Sequence, residues 1–295
     1  MRFLFVDRVL QLIPGELTRG IKHITQDDFY LQIADNGEFC FIPSLIGETL
    51  GQLAAWNVMQ FNGFSMRPVA GVVASAKLHR PAYVGETLEL ESVIERLDES
   101  AVLYNSVAKV GPDIVFTVEG ALGPLLPMQD FISDEEIRRQ FQEINRPGEW
   151  PETQHKTARK LALNPFLTSK DNLPCFNFEH ILSCEPGVCL IAEKRITRAA
   201  PYFPDHFPNK PVLPMTVLLE CKLNLAREFI RRAGFTGYHI SELRKIKMND
   251  FIHPGDVVQC QVKLKEKNDE QLILSFRSEV EAKRVCVLDV VMTTR

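Results

Sequence analysis

His206 stands in a proline-rich run, PYFPDHFPNKPVLP (201–214), fourteen residues before Glu220. A neutral imidazole and a carboxylate held near one substrate are the usual pair for moving protons to and from it. Prolines at 201, 204, 208, 211 and 214 keep regular helix and central strand out of this segment, so the histidine rides on a loop. After Pro214 the pattern turns apolar and helical, MTVLLECKLNLAREFI, with basic residues gathering towards its end, where a helix dipole favours them. Glu220 falls in the opening turns of that helix.

The chain also repeats itself, which bears on where the chemistry can be. Shifted by 172 positions, the two halves align without a gap over some forty residues: Pro14-Gly15 falls on Pro186-Gly187, Ile24-Thr25 on Ile196-Thr197, Tyr30 on Tyr202 and Glu48 on Glu220. Each half opens with a short amphipathic segment (3–10; 176–182), turns at Pro-Gly, and continues into a strand (17–25; 189–197). One long helix (44–61; 215–233) follows, and then alternating strands at 69–80, 86–97, 101–111 and 114–123, repeated at 239–250, 256–267, 271–280 and 284–293. LELESVI and VVQCQVKLK show the period of two expected of strands with one solvated face. Between the halves DEEIRRQFQEI (134–144) has acid in front and base one turn later, a short surface helix, before NRPGEWP breaks it.

The run through His206, Phe207, Pro208, Pro211, Val212, Pro214, Leu218 and Glu220 resembles the H-F-P-x-x-P-V-x-P-G-x-L-x-x-E signature of the hot-dog-fold (3R)-hydroxyacyl-[acyl carrier protein] dehydratases. It departs at Met215, where that family has glycine. FLFVDRVL and GETLGQLAAW in the first half resemble the same family. The resemblance implies an α+β double hot-dog, two units each with a long central helix wrapped by an antiparallel sheet. Unit 1 is expected over 1–130, degenerate but supplying the helix glutamate. A linker with a short helix follows over 131–173, packed across the pair, and unit 2 with the H-F-P motif spans 174–295.

In that family the active site is built across a pair of units, so His206 of unit 2 is expected to face Glu48 of unit 1. The reciprocal site needs a histidine where Ala34 stands and is expected to be dead. Glu48 and Gln52 keep the family's E-x-x-x-Q spacing, whereas Asn224 replaces that glutamine in the second helix. Glu220 and Gln52 are therefore supporting or second-site residues. The implied reaction is reversible loss of water from a 3-hydroxyacyl thioester, syn or anti, feeding fatty-acid or related acyl-chain synthesis. His206 takes the C2 proton, and Glu48, its pKa raised by apolar burial, protonates the leaving hydroxyl. The Met215 amide at the helix start receives the oxyanion. Leu45, Phe61, Leu218 and Phe229 are expected to line the acyl tunnel between the helices. The carrier is acyl carrier protein or coenzyme A; an acidic carrier calls for a basic lip, with candidates Arg227, Arg231, Arg232, Arg244, Lys245 and Lys247, or Lys77, His79 and Arg80.

Composition bounds the rest. A net charge of −4 and a pI near 6.0 disfavour nucleic acid or an anionic membrane as bulk partner. No stretch is long and apolar enough to span a bilayer, and MRFLFVDRVL lacks a signal-peptide pattern, so the chain is expected in the cytoplasm, where pairs of double hot-dogs can form homo-oligomers. Seven scattered cysteines without C-x-x-C read as reduced thiols. No metal spacing, P-loop or dinucleotide fingerprint is present, and no cofactor is expected. Two other classes fit the same sequence: a hot-dog acyl thioesterase, which shares the fold and a helix carboxylate but has no need of H-F-P, and a non-catalytic acyl-carrier-binding module, to which Met215 lends weight.

Overall fold

The computed structural model describes residues 3–150 and 176–294. The first half runs β1 (Arg8–Ile13), β2 (Leu17–His23), β3 (Leu31–Ile33), β4 (Phe39–Phe41), α1 (Pro43–Phe61), β5 (Met66–Pro68), β6 (Val72–Leu78), β7 (Thr87–Leu97), β8 (Ala101–Val110) and β9 (Asp113–Pro127). Next comes α2 (Asp134–Ile144), and then β10 (His180–Glu185), β11 (Cys189–Arg195), α3 (Met215–Ala233), β12 (Tyr238–Met248), β13 (Val257–Lys267), β14 (Gln271–Val280) and β15 (Lys283–Thr294).

The strands form one antiparallel sheet in the order β1-β2-β7-β8-β9-β6-β12-β15-β14-β13-β11-β10, with β5 on β9. The order reads as the same six-strand pattern met head to head, and the join is the β6–β12 ladder from Glu242↔Lys77 to Lys247↔Val72. Ser75 Oγ donates to Glu242 Oε1 across it at 2.6 Å. With the two half-sheets joined edge to edge, α1 and α3 pack against each other. This is a double hot-dog.

The two helices begin and end where the sequence punctuates them. Pro43 opens α1, and Pro214 is the N-cap of α3; a fixed φ suits the start of a helix and the missing N–H costs nothing there. Gly234 closes α3 in the left-handed region at φ +69, its N–H reaching the Arg231 and Ile230 carbonyls, a conformation glycine adopts without Cβ strain. Thirteen of the nineteen residues of α1 are buried, as expected of a helix wrapped by sheet rather than laid on it.

Ser133 caps α2, its hydroxyl accepting from the Glu136 N–H, with Asp134, Glu135 and Glu136 in the first turn. The remainder of the expected linker, 151–173, lies outside the described residues, and so does its packing across the pair. No described helix is long and apolar enough to cross a membrane, and the six described cysteines are free.

Two elements differ from expectation. The opening segments, 3–10 and 176–182, run into β1 and β10, with Phe3, Phe5 and Val6 dropping into the core ahead of β1. β9 is longer than 114–123, because its far end serves β5. The β3–β4 hairpin was not expected. It turns through Ala34–Gly37, with Gly37 at φ +82 and its N–H on the Ala34 carbonyl at 2.8 Å. This compact hairpin stands where the second half carries its proline-rich histidine loop.

Asn57 anchors the first-half hairpin to α1. Its amide donates to the Ile13 and Leu17 carbonyls and the Thr18 hydroxyl and accepts from the Gly15 N–H, all at 2.7–2.9 Å. Asn57→Leu strands those groups in the core and is expected to destabilise the protein by roughly 2–4 kcal/mol. Denaturant unfolding checks this; a loss under about 0.5 kcal/mol is outside the expected range.

Candidate active site

The loop that carries His206 is closed on itself. The His206 N–H reaches the Tyr202 carbonyl at 2.9 Å, and the Val212 N–H reaches the His206 carbonyl at 3.1 Å. Leu213 N–H ties the loop to Ile252 at 2.7 Å. His206 Nδ1 lies 2.9 Å from the Val212 carbonyl. A carbonyl only accepts, so Nδ1 carries the proton and Nε2 keeps its lone pair in the neutral ring. The Phe207 ring stacks on the imidazole at 4.1 Å, and Phe3 meets it edge-on at 5.9 Å. Burial lowers the histidine pKa below its ordinary 6.5 and nearby Arg67 adds to the fall, while Glu48 and the Val212 carbonyl oppose it. The ring is therefore neutral at pH 7.

Glu48 is presented by the second turn of α1. One carboxylate oxygen accepts from the Thr216 hydroxyl at 2.8 Å, a contact from the first half to the second, and the other accepts from Gln52 Nε2 at 3.1 Å. Gln52 is itself held by the N-terminal segment, accepting from the Phe5 N–H at 2.9 Å and donating to the Phe3 carbonyl at 3.1 Å. Phe3 in turn donates its N–H to Asp205, next to the histidine, at 2.6 Å. The first four N–H groups of a helix have no intrahelical partner, and that of Met215 is the first of α3. His206, Glu48, Gln52, Thr216 and Met215 all line one cavity of about 380 Å³.

Glu220 is placed differently. It is 1 % exposed and lies outside that cavity lining. One of its oxygens accepts the Ser44 N–H at 3.4 Å, and the other faces Arg227 Nη1 at 3.5 Å. Asn224, the counterpart of Gln52, accepts from the same guanidinium at 2.5 Å instead of supporting the glutamate. Where the His206 site has an imidazole and the Met215 N–H, the equivalent positions here are Ala34 and Pro43, the latter with no N–H at all. The second half thus encloses a glutamate neutralised by arginine, without base or oxyanion donor.

The cavity wall corrects the expected tunnel. Leu45, Leu218 and Phe229 are buried in the core and Phe61 is 57 % exposed, its ring lying against Gly15; none of the four lines the cavity. The α1 stripe that does so runs from Ser44 and Gly47 through Glu48, Gly51, Gln52, Ala55 and Trp56 to Met59, spaced as one face of a helix. Ile137 and Gln140 of α2 also line it, and Trp56 packs on Phe141 at 5.6 Å, so the helix between the halves forms part of the wall. Two further polar residues there were not foreseen. Burial and the charge of Glu48 push the Tyr104 phenol up to about 12, which keeps it a donor. Arg67 is the other.

Several of the basic residues expected at a lip are matched locally: Arg231 and Arg232 pair with Glu228, Arg244 with Glu242, and Arg80 with Glu86. None of the residues expected at a lip lines the cavity.

Residues 184–288 match the ApeI-like family model, described as ApeI dehydratase. The chain is 27% identical over 117 residues to the 3-hydroxyacyl-[acyl-carrier-protein] dehydratase FabZ of Pediococcus pentosaceus, spanning 38% of this chain and 78% of that enzyme. Over these stretches the chain is similar to the dehydratases. Whole-chain fold neighbours include an oleoyl thioesterase (putative) from Lactobacillus plantarum, with TM-score 0.57, 8% identity, and coverage of 96% of this chain and 99% of that one. The dehydratase domain of PpsC from Mycobacterium tuberculosis, solved with C12:1-CoA, gives TM-score 0.56, 11% identity and coverage of 98% of each chain. Thioesterase and dehydratase share the double hot-dog equally, so architecture does not separate these activities. The side chains at the site must.

Glu48→Gln is expected to lower turnover by on the order of 10²–10⁴-fold, and Glu220→Gln to leave it close to wild type. The substitutions are chemically the same and sit at equivalent helix positions. Steady-state rates for the two variants decide which carboxylate serves the imidazole; a heavier loss from Glu220→Gln places the site within the second half.

Proposed function

We propose that this chain dehydrates (3R)-hydroxyacyl thioesters to trans-2-enoyl thioesters at a single site assembled from both halves. The observation that carries the reading is His206 with Nδ1 committed to Val212 and Nε2 left free, sharing a cavity with Glu48. A base and an acid on separate elements around one cavity suit removal of a proton from one carbon and of hydroxide from the next. The FabZ relatives point the same way.

In this mechanism Nε2 takes the C2 proton of the substrate. The electron pair moves towards the thioester carbonyl, and the oxygen's growing charge is met by the Met215 N–H at the head of α3. That amide survives the exchange of glycine for methionine. The pair then forms the C2–C3 double bond as the C3–O bond breaks, and protonated Glu48 delivers its proton so that water leaves. The proton held by His206 passes to Glu48, directly or by exchange with solvent, restoring both groups. Gln52 and Thr216 orient the carboxylate throughout. The thioester carrier is acyl carrier protein or coenzyme A, and the cavity along α1 takes the acyl chain.

A thioesterase uses the same fold to place water on the thioester carbon. Incubation with 3-hydroxyacyl and acyl thioesters separates the readings: enoyl absorbance reports dehydration, free thiol reports hydrolysis, and neither reports a binding module. His206→Ala is expected to cost 10²–10⁴-fold in dehydration, on the order expected for a lost general base, with an unchanged thermal midpoint. A loss below tenfold removes His206 from the mechanism.

The pH profile gives an independent check. A protonated imidazole cannot accept the C2 proton, so kcat/KM is expected to fall as pH drops through the lowered histidine pKa. The acid-limb midpoint should lie below 6.5; a midpoint above 7 contradicts a histidine whose burial dominates.

A further inference from the structure

Arg67 lies on β5 and lines the cavity, yet its Nε is shut off from solvent with no hydrogen-bond partner. Among the described residues the guanidinium has no hydrogen bond and no ion pair. Burial draws its pKa down to about 10, the charge of Glu48 working against the fall, so it remains a cation at pH 7. A buried guanidinium N–H with no acceptor costs stability unless something enters to meet it.

Two aromatic faces pack against it. The guanidinium carbon is 3.8 Å from the Phe207 ring centre and 5.5 Å from that of Phe131. His206 stacks on Phe207 at 4.1 Å. Two planar groups this close cannot share one face, so Arg67 and His206 lie on opposite sides of Phe207. Arg67 is one ring removed from the reacting carbons. A guanidinium packed on a ring keeps its N–H edges free for an oxygen acceptor.

From Arg67 the cations lead outward. Lys210 Nζ stands over the same Phe131 ring at 5.2 Å and over Phe251, which lines the cavity, at 5.0 Å. The neighbours of Lys210 in the loop, Pro208 and Asn209, are exposed. Cavity-lining residues that reach the surface include Ala70, three residues along the chain from Arg67, and Asn249, two before Phe251. The α1 and α2 residues at the other end, Trp56, Met59, Ile137 and Gln140, are buried. The cationic side is the open side.

We propose that Arg67, backed by Lys210, holds the phosphopantetheine arm of the thioester carrier, taking its amide carbonyl and phosphate oxygens as the arm passes from the surface to His206. The inference rests on the thioester reading above and names residues absent from the expected lip. It applies to coenzyme A and to acyl carrier protein alike, since both present this arm.

The test uses Arg67→Met, Lys210→Met and Arg67→Lys in the full chain. Free coenzyme A is titrated calorimetrically, and kcat/KM is measured with a coenzyme A thioester and with the same acyl group on N-acetylcysteamine, which lacks the phosphate and most of the arm. Arg67→Met is expected to weaken coenzyme A binding by roughly 10–100-fold, the scale of a lost charge-assisted hydrogen bond. Its kcat/KM should fall at least tenfold more for the coenzyme A thioester than for the truncated one. Lys210→Met should show the same bias more weakly, and Arg67→Lys should recover part of it. The thermal midpoint of Arg67→Met should stay level or rise, because a buried N–H without an acceptor is removed. Equal losses on both thioesters, unchanged coenzyme A binding, or a lowered midpoint with no bias overturns the proposal. A wild-type protein that binds coenzyme A through Arg67 but forms no enoyl product keeps this site and removes the dehydratase reading instead.

Discussion

The antiparallel ladder between β6 and β12 is the constraint on which the rest depends. It turns two half-sheets into one surface, and that surface presses α1 and α3 together in a fixed relation. Because the pairing is nearly two-fold, each helix offers a glutamate to the first turn of the other: Glu48 meets Thr216, and Glu220 meets Ser44. Backbone hydrogen bonds along the join set the register, and a slip of one residue would turn every side chain on those strands to the opposite face. A site made from both halves is thereby held as firmly as one made within either.

Near-symmetry in the frame coexists with asymmetry in the chemistry. At one end of the helix pair a loop histidine, a free amide and a supported carboxylate surround a cavity. At the other a short hairpin replaces the loop, Pro43 removes the amide, and Arg227 fills the charge requirement of Glu220. A fused chain permits this. Once both units are covalently joined, each half needs to keep only its own part of one site, and the vacated end is free to become packing. Glu220 is buried there between the Ser44 N–H and Arg227, and an ion pair in such a place is weak evidence of stabilisation.

Much of this arrangement was legible in the residues. The start of α3 followed from Pro214, which punctuates regardless of tertiary context. The long strands followed from alternation that a half-solvated sheet imposes, and the expectation that His206 and Glu48 share one cavity from the repeat offset combined with the dehydratase signature. What escaped was decided by packing. Leu45, Leu218 and Phe229 are apolar and helical like the true wall residues, and periodicity alone does not say which apolar face meets a cavity and which meets the sheet. Phe61 falls past the last wrapped turn. Arg67 sits in an unremarked Met-Arg-Pro, and only the fold brings its side chain against Phe207. The part played by α2 in the wall was hidden for the same reason: its own sequence reads as a surface helix, and only the fold turns Ile137, Gln140 and Phe141 inward.

The central claim is that one substrate lies between His206 and Glu48. A crystal structure with a non-hydrolysable 3-hydroxyacyl pantetheine amide tests it most directly. The account predicts one ligand per chain, with C2 within hydrogen-bonding reach of Nε2 of His206, the 3-hydroxyl on the Glu48 carboxylate and the carbonyl oxygen on the Met215 N–H. A ligand seated at Glu220, or one whose hydroxyl lies out of reach of Glu48, contradicts it.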